Sequence, residues 1–406
     1  MTIKNLNEKI KAYALKNAIA HGGKANSGTI VSALFNEKLE KSKVKEIMPK
    51  IQEIIEEISD LNLNEQKKEF EKLKKFTSER GIREGLLKLP NAEKGVVMRF
   101  APSASGPMHA AHAIVAGLSI NYVNKYGGKF YQRIEDTNPE KTDPESYKLL
   151  TEDGEWLSQG ISKTIIQSDR MDLYYGYALA LIEKDAAYVC ECSGDKFREL
   201  AKNKKECPCR KKTIEQNIKD WEKMLTKSGF KEGEVVLRFK TPEKENGMQN
   251  KNPAMRDFPL ARINTHEHPR QGTKYEVWPL MNLSVAVDDM DLEMTHIIRG
   301  KDHRDNALRQ KMIFEVFNKP IPWTGYLGRI HFKGLEFSTS KFREGIKKGI
   351  YSGWDDSKLP TLISLKKRGY KASAFLKLAE HIGLSEVDKT IDAKDFFELL
   401  DNFNRD

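Results

Sequence analysis

The sequence predicts an α/β protein: a parallel sheet, interrupted by a mixed α/β insertion and preceded by a helical segment. Three observations carry this. Residues 95–136 read as strand, turn, helix, turn and strand, which is one βαβ unit. Residues 1–90 are Lys/Glu-rich, with apolar residues at helical steps. Between 185 and 280 the pattern changes to clustered cysteines, a basic stretch and loops containing proline and glycine. A chain of 406 residues exceeds one small core, so two or three domains are expected.

The elements follow in order. Ile47, Ile51, Ile54, Ile55 and Ile58 form one helical stripe, and HGGKANSG (21–28) breaks the first helix, so 1–90 reads as a helical extension without chemistry. VVMRF (96–100) is a buried strand, MHAAHAIVAGLSINYVNKY (108–126) a helix and FYQRIED (130–136) a second strand. Helices near 144–160 and 171–184 complete the first half of a sheet domain, 91–184. Residues 185–280 form the insertion, with EVVLRFK (234–240) and the loop-rich 252–279. The run 283–300 reads as strand-like and precedes a helix from Arg304 to Asn318, making 281–330 the second half. From Ile330 the chain is basic and reads as helical to its end.

Composition narrows the class. Hydrophobic content of 39% against 32% charged residues is that of a soluble globular protein. No apolar run approaches a bilayer span, Tyr175–Ile182 being among the longest, and the N-terminus lacks a secretory signal pattern. No membrane association and a cytoplasmic location are expected. The net charge of +10 is concentrated: 201–233 holds ten Lys/Arg against five Asp/Glu, and 341–371 nine against three. Such segments either track a phosphate backbone or are solvated helix faces.

Three motifs carry chemistry. A turn containing Gly106, between a strand end and a helix start, suits nucleotide phosphates, because free N–H groups and the helix dipole favour anions. His109 and His112, three apart on that helix, can face one ligand. FSTSK (337–341) offers hydroxyls and a lysine suited to closing on a triphosphate. Cys190, Cys192, Cys207 and Cys209 form two C-x-C pairs that can present four thiolates to a structural Zn²⁺, or remain reduced and uncoordinated.

In combination, RFAPSASGPMHAAHA, GGKFYQRIEDTNPEKTDPE, VDDMDLEMTHIIRGKDHRDNALRQ and FSTSKFREGI resemble the archaeal form of the glutamyl-tRNA synthetase family, class I aminoacyl-tRNA synthetases. YALKNAIAHGGKAN (13–26) resembles that form's N-terminal extension. The resemblance implies a Rossmann-type catalytic domain in two halves, an acceptor-binding insertion, and a Ser/Lys loop with a helical stem-contact region over 331–406. It implies an ATP-dependent ligase of protein biosynthesis that uses ATP, Mg²⁺, glutamate and the acceptor end of tRNA. His109, His112 and Lys341 would be catalytic, and Gly106, His109, His112, Ser340 and Lys341 would bind ATP. Arg99, Ser103, Glu135, Met281 and Arg299 would surround the amino acid, with Arg299 on its side-chain carboxylate. Some relatives place zinc ligands in the same insertion.

Three features depart from the family pattern. Ala110 and Ala111 stand inside the histidine signature, where His-Ile-Gly-His is usual. Met281-Asn282-Leu283 stands where the archaeal form has Tyr-Asp-Phe, on the strand expected to feed the pocket. The sequence ends near where a β-rich anticodon-binding domain would begin, so a divergent form lacking that domain is expected. Two alternatives remain open at this point: delivery of glutamate or a related amino acid to another acceptor (a modified tRNA base, a carrier or an amine), or a catalytically inactive binding protein.

Overall fold

The computed structural model describes residues 5–37, 39–77 and 85–405. The chain divides into two compact units, 1–83 and 84–406. The first holds helices α1 (Leu6–Ala20), α2 (Ser27–Asn36), α3 (Val44–Ser59) and α4 (Leu63–Leu73). On α3, Ile47, Ile51, Ile54 and Ile58 enter the core and Ile55 packs against it. In the 21–28 turn, Asn26 caps α2 by accepting the Thr29 N–H at 3.2 Å. The buried Gln66 amide donates to the carbonyls of Gly23 (3.1 Å), Ile58 (3.0 Å) and Leu61 (3.2 Å), tying α4 to the α1–α2 turn and the end of α3.

The second unit begins with β1 (Val96–Phe100), α5 (Ala110–Tyr126), β2 (Gly128–Ile134), α6 (Glu145–Leu157), β3 (Ser162–Ile166) and α7 (Met171–Glu183). β1, β2 and β3 form a parallel sheet with β2 central. The return from α5 to β2 requires glycine. Gly128 has φ +129°, and a Cβ there would lie 1.9 Å from the Val96 carbonyl. The insertion contains β4 (Ala187–Cys190), α8 (Gly194–Lys202), α9 (Ile214–Leu225), β5 (Val236–Phe239), β6 (Pro259–Ile263) and β7 (Val277–Pro279), its four strands antiparallel in that order.

The chain then returns through α10 (Met281–Asp291), β8 (His296–Gly300), α11 (Arg304–Val316) and β9 (Trp323–Leu327), with β8 and β9 parallel. Thr295 stitches this pair to β1: its hydroxyl accepts the Val97 N–H at 2.8 Å and its own N–H donates to Val97 O at 3.0 Å. The resulting order is β3-β2-β1-β8-β9. The connections run outward on both sides of the β1/β8 junction, so a crevice opens at the carboxyl ends of those two strands. The remainder comprises β10 (Ile330–Lys333), α12 (Thr339–Lys347), α13 (Leu362–Lys367), α14 (Ala372–Ile382), β11 (Lys389–Asp392) and α15 (Ala393–Arg405).

Several expectations need correction. Residues 281–291, read as a strand, form a helix; every residue from Asn282 to Met290 is buried, so no polar face supplies a helical period. Residues 331–406 are not helical throughout, because β10 and β11 pair in parallel across most of the segment. Each alternates half-buried with exposed residues, but over only four positions. Both basic segments are partly neutralised. Arg210 is buried on Asp257 at 3.1 Å and Lys212 pairs with Asp220 at 2.6 Å. Lys341 pairs with Glu336 (2.6 Å), Arg343 with Asp143 (2.8 Å), Lys348 with Glu344 (2.5 Å), and Lys367 with Asp355. Lys202, Lys204, Lys205, Lys211 and Lys219 have no ion-pair partner among the described residues.

Gly128→Ala is expected to destabilise the chain by about 2 kcal/mol or more, through backbone collision and unfavourable φ. Chemical denaturation checks this.

Candidate active site

β1 carries Arg99 one residue before its end and β8 carries Arg299, so the crevice is cationic at its floor. A pocket of about 240 Å³ there is lined by Arg99, Ser103, Glu135, Met281 and Arg299, all five expected amino-acid contacts, together with His112. Glu135 arrives because β2 continues past Ile134 against the loop after β1. Its N–H donates to Pro102 O at 2.9 Å, and the Ala104 N–H donates to Glu135 O at 3.0 Å.

The charges are held from behind. Arg99 grips Asp289 of α10 with two hydrogen bonds, Nε to Oδ1 at 3.1 Å and a terminal nitrogen to Oδ2 at 3.2 Å. Arg133 reaches the same Asp289 at 2.6 Å and Glu135 at 3.1 Å. Burial pushes the Asp289 carboxyl up, but Arg99 and Arg133 outweigh it and hold the group at about 2. Arg299 donates to Gln310 at 2.8 Å, while its buried Nε finds no partner among the described residues. Burial, reinforced by the nearby Arg99 charge, draws Arg299 down to about 10, a guanidinium that an incoming anion would relieve. Arg99 and Glu135 are thus not paired with each other.

His109 is the N-cap of α5, and its Nδ1 accepts the His112 N–H at 3.4 Å. That assigns the proton of the neutral ring to Nε2. The two imidazoles stack, with centroids 3.6 Å apart. Burial pushes His112 down to about 4, and burial together with the neighbouring His112 lowers His109 well below its ordinary value. Both are neutral donors at pH 7. The turn before them is braced by Asp153 of α6, which accepts the Met108 N–H at 2.8 Å, and by Pro360 O, which accepts the Ala110 N–H at 3.0 Å.

Residues 95–403 match the catalytic domain of class I tRNA synthetases (E and Q). The chain is 44% identical over 384 residues to the glutamate–tRNA ligase of Methanocaldococcus jannaschii, covering 94% of this chain and 68% of that one. It is 41% identical over 393 residues to the glutamate–tRNA ligase of Methanothermobacter marburgensis, covering 96% and 70%. The chain belongs to the archaeal-type glutamyl-tRNA synthetase family. In fold it is similar to a glutamate tRNA ligase from Elizabethkingia meningosepticum, with a TM-score of 0.53 at 20% identity, over 75% of this chain and 68% of that one.

The Ser/Lys segment meets the histidine turn through part of its length. Phe337 packs on the His109 ring at 5.1 Å. Thr339 fills the space beside Gly106, where a Cβ would lie 2.5 Å from its methyl group. Ser338 caps α12, so the helix begins inside the motif and Ser340 and Lys341 lie on its exposed first turn. Lys341 is turned to Glu336 at 2.6 Å and does not line the amino-acid pocket. Met281 is 39% exposed at the pocket rim, and Ala111 is half-buried on α5.

Reading the sequence left several site residues unnamed. Val285 and His303 line the pocket, and Asp289 and Arg133 hold its charges. An Asp pair inside the otherwise apolar run 283–290 was the available signal, since carboxylates are seldom buried unpaired. A larger cavity, about 600 Å³, opens at the start of β8 and β9 and includes none of the expected residues.

The four cysteines lie elsewhere in the second unit, with all Sγ atoms within 4.8 Å of one another. Cys207 Sγ is 3.5 Å from Cys190 Sγ and 3.3 Å from Cys192 Sγ. A tetrahedral zinc with Zn–S near 2.3 Å needs S–S edges of about 3.8 Å, so the set fits with small adjustments. Among the described residues, no helix is long and apolar enough to cross a membrane.

A histidine whose folded value lies below its ordinary 6.5 stabilises the fold above that pH and loses this contribution as pH falls toward about 4. Asp153, pushed up to about 7 by burial, acts in the opposite direction over the same range. The His112 contribution is therefore read as a difference: denaturation midpoints should fall more steeply from pH 6.5 to 4 in the native chain than in His112→Gln.

Proposed function

We propose that this chain activates glutamate with ATP and transfers the glutamyl group to the terminal adenosine of tRNA. The observation that carries this is the 240 Å³ pocket, which sets the under-partnered Arg299 guanidinium and the Glu135 carboxylate around one space beside His112. Those charges match the side-chain carboxylate and the α-ammonium of one dicarboxylic amino acid. Its α-carboxylate would attack the α-phosphorus of Mg²⁺-bound ATP, displacing pyrophosphate and giving a mixed anhydride; the 2′-hydroxyl of the terminal adenosine would then attack the anhydride's carbonyl, forming the ester and releasing AMP. No protein nucleophile is needed, so the side chains act by orientation and by hydrogen bonds to developing charge.

His109 and His112 serve as neutral donors to the phosphates beside the Gly106 turn, and Arg99 and Ser103 border the amino acid. Lys341, with Ser340, joins the triphosphate after leaving Glu336. The unpaired lysines of the insertion and the basic 331–406 region supply charge for the acceptor end and stem of tRNA. Cys190, Cys192, Cys207 and Cys209 hold a structural zinc; four thiolates leave no open position for catalysis. The cytoplasm, where free thiols persist, is the place of action.

Amino-acid-dependent ATP–pyrophosphate exchange, run over all amino acids with and without tRNA, tests the reading. Glutamate-dependent exchange is expected. Exchange with a different amino acid would reassign the pocket, and none under either condition would overturn the enzyme reading. Arg299→Gln should raise the glutamate KM about 10–100-fold by removing a charge-assisted contact, with the ATP KM little changed. Metal analysis of the purified chain should find one zinc, absent from Cys207→Ser; a zinc-free native chain would refute the metal assignment.

A further inference from the structure

The insertion touches the amino-acid pocket's supporting strand through a buried histidine that no assigned role uses. Asp136 directly follows Glu135 and is buried. Its carboxylate is taken by the Ser168 N–H at 2.8 Å and the Tyr147 hydroxyl at 2.7 Å. His268, in the hairpin joining β6 to β7, reaches this residue from the other module. His268 Nδ1 lies 3.2 Å from each of the Arg270 and Gln271 backbone N–H groups, so it is an acceptor and the proton sits on Nε2. Nε2 then donates to the Asp136 carbonyl at 2.9 Å and lies 3.5 Å from its carboxylate.

The ring itself is fixed. It stacks on Trp278 with centroids 4.8 Å apart, and the hairpin closes through paired His268 and Gly272 backbone bonds of 3.0 and 2.8 Å. An outer clamp repeats the connection, with Arg270 on Asp169 at 2.9 and 2.7 Å. Asp169 adjoins Ser168, whose N–H already holds Asp136. The same hairpin therefore fixes the Glu135–Asp136 segment at two depths.

We infer that His268 is a positioning residue for amino-acid binding: the insertion's hairpin, by donating to the Asp136 backbone, sets the Glu135 carboxylate in the pocket. The amino-acid site is thus completed by the inserted module and is not a property of the parallel sheet alone. Glu135 contacts the substrate; His268 acts only through it. This inference rests on Glu135 binding the amino acid, as proposed above.

Exchange kinetics on the full chain with tRNA present test it. The native chain serves as the control: if it shows no glutamate-dependent exchange, the functional reading fails and not this inference alone. Given native exchange, His268→Ala should raise the glutamate KM about tenfold and leave the ATP KM within about twofold. His268→Gln places an amide N–H near the lost Nε2–H and should recover most of the affinity. Arg270→Ala, an exposed change, should move the glutamate KM in the same direction by a smaller factor, so the decision does not depend on the alanine variant folding. An unchanged glutamate KM in His268→Ala, or equal rises for glutamate and ATP without recovery in His268→Gln, would overturn the assignment.

Discussion

Asp289 is the charge on which the site depends. Arg99 and Arg133 both end on it, and Arg133 also holds Glu135, so one buried carboxylate fixes two guanidiniums and, through them, the anionic wall of the pocket. Removing one member of such a buried set leaves an uncompensated charge, typically worth about 3–5 kcal/mol. Asp288, the preceding residue, is equally committed: Tyr174, Gln167 and Arg170 all donate to it, at 2.8–2.9 Å. The two carboxylates are adjacent on α10 yet serve different elements, so α10 cannot turn without breaking both sets.

That constraint explains the crevice. Arg99 comes from β1, Arg133 from β2 and Asp289 from α10, three elements brought together only when β8 seats against β1 through Thr295. The sheet order places the amino-acid pocket and the histidine turn at the same strand ends, where the positive end of α5 also points. Arg299 faces the pocket with a buried Nε that has no partner among the described residues, which on the reading proposed above leaves it to an external anion.

The side proposed above to hold the phosphates is organised differently. Its histidines are neutral by burial, stacked on each other and covered by Phe337, while Lys341 is engaged with Glu336. The pocket around Arg99 and Glu135 is held by buried ion pairs, whereas the histidine turn is covered by an aromatic contact and the neighbouring lysine by an exposed ion pair worth little in water. On the reading proposed above, a segment that admits ATP and then holds it suits the second kind of contact.

The sequence by itself determined the βαβ unit, the histidine turn, the four-cysteine set and, by resemblance, the five residues that line the amino-acid pocket. The first three depend on local signals: a strand that is largely apolar on both faces, a backbone turn that only glycine accommodates, a spacing that brings thiolates together. α10 was read as a strand because burial on every side erases the helical period. β10 and β11 leave no clear sequence signal because their alternation spans only four residues each. The roles of Asp289, Arg133 and His268 were decided by the tertiary structure alone. A carboxylate's partners lie 156 and 190 positions away in the chain, and a histidine's acceptor 132. Pairings over such separations are set by how sheet and insertion pack, which no local pattern encodes.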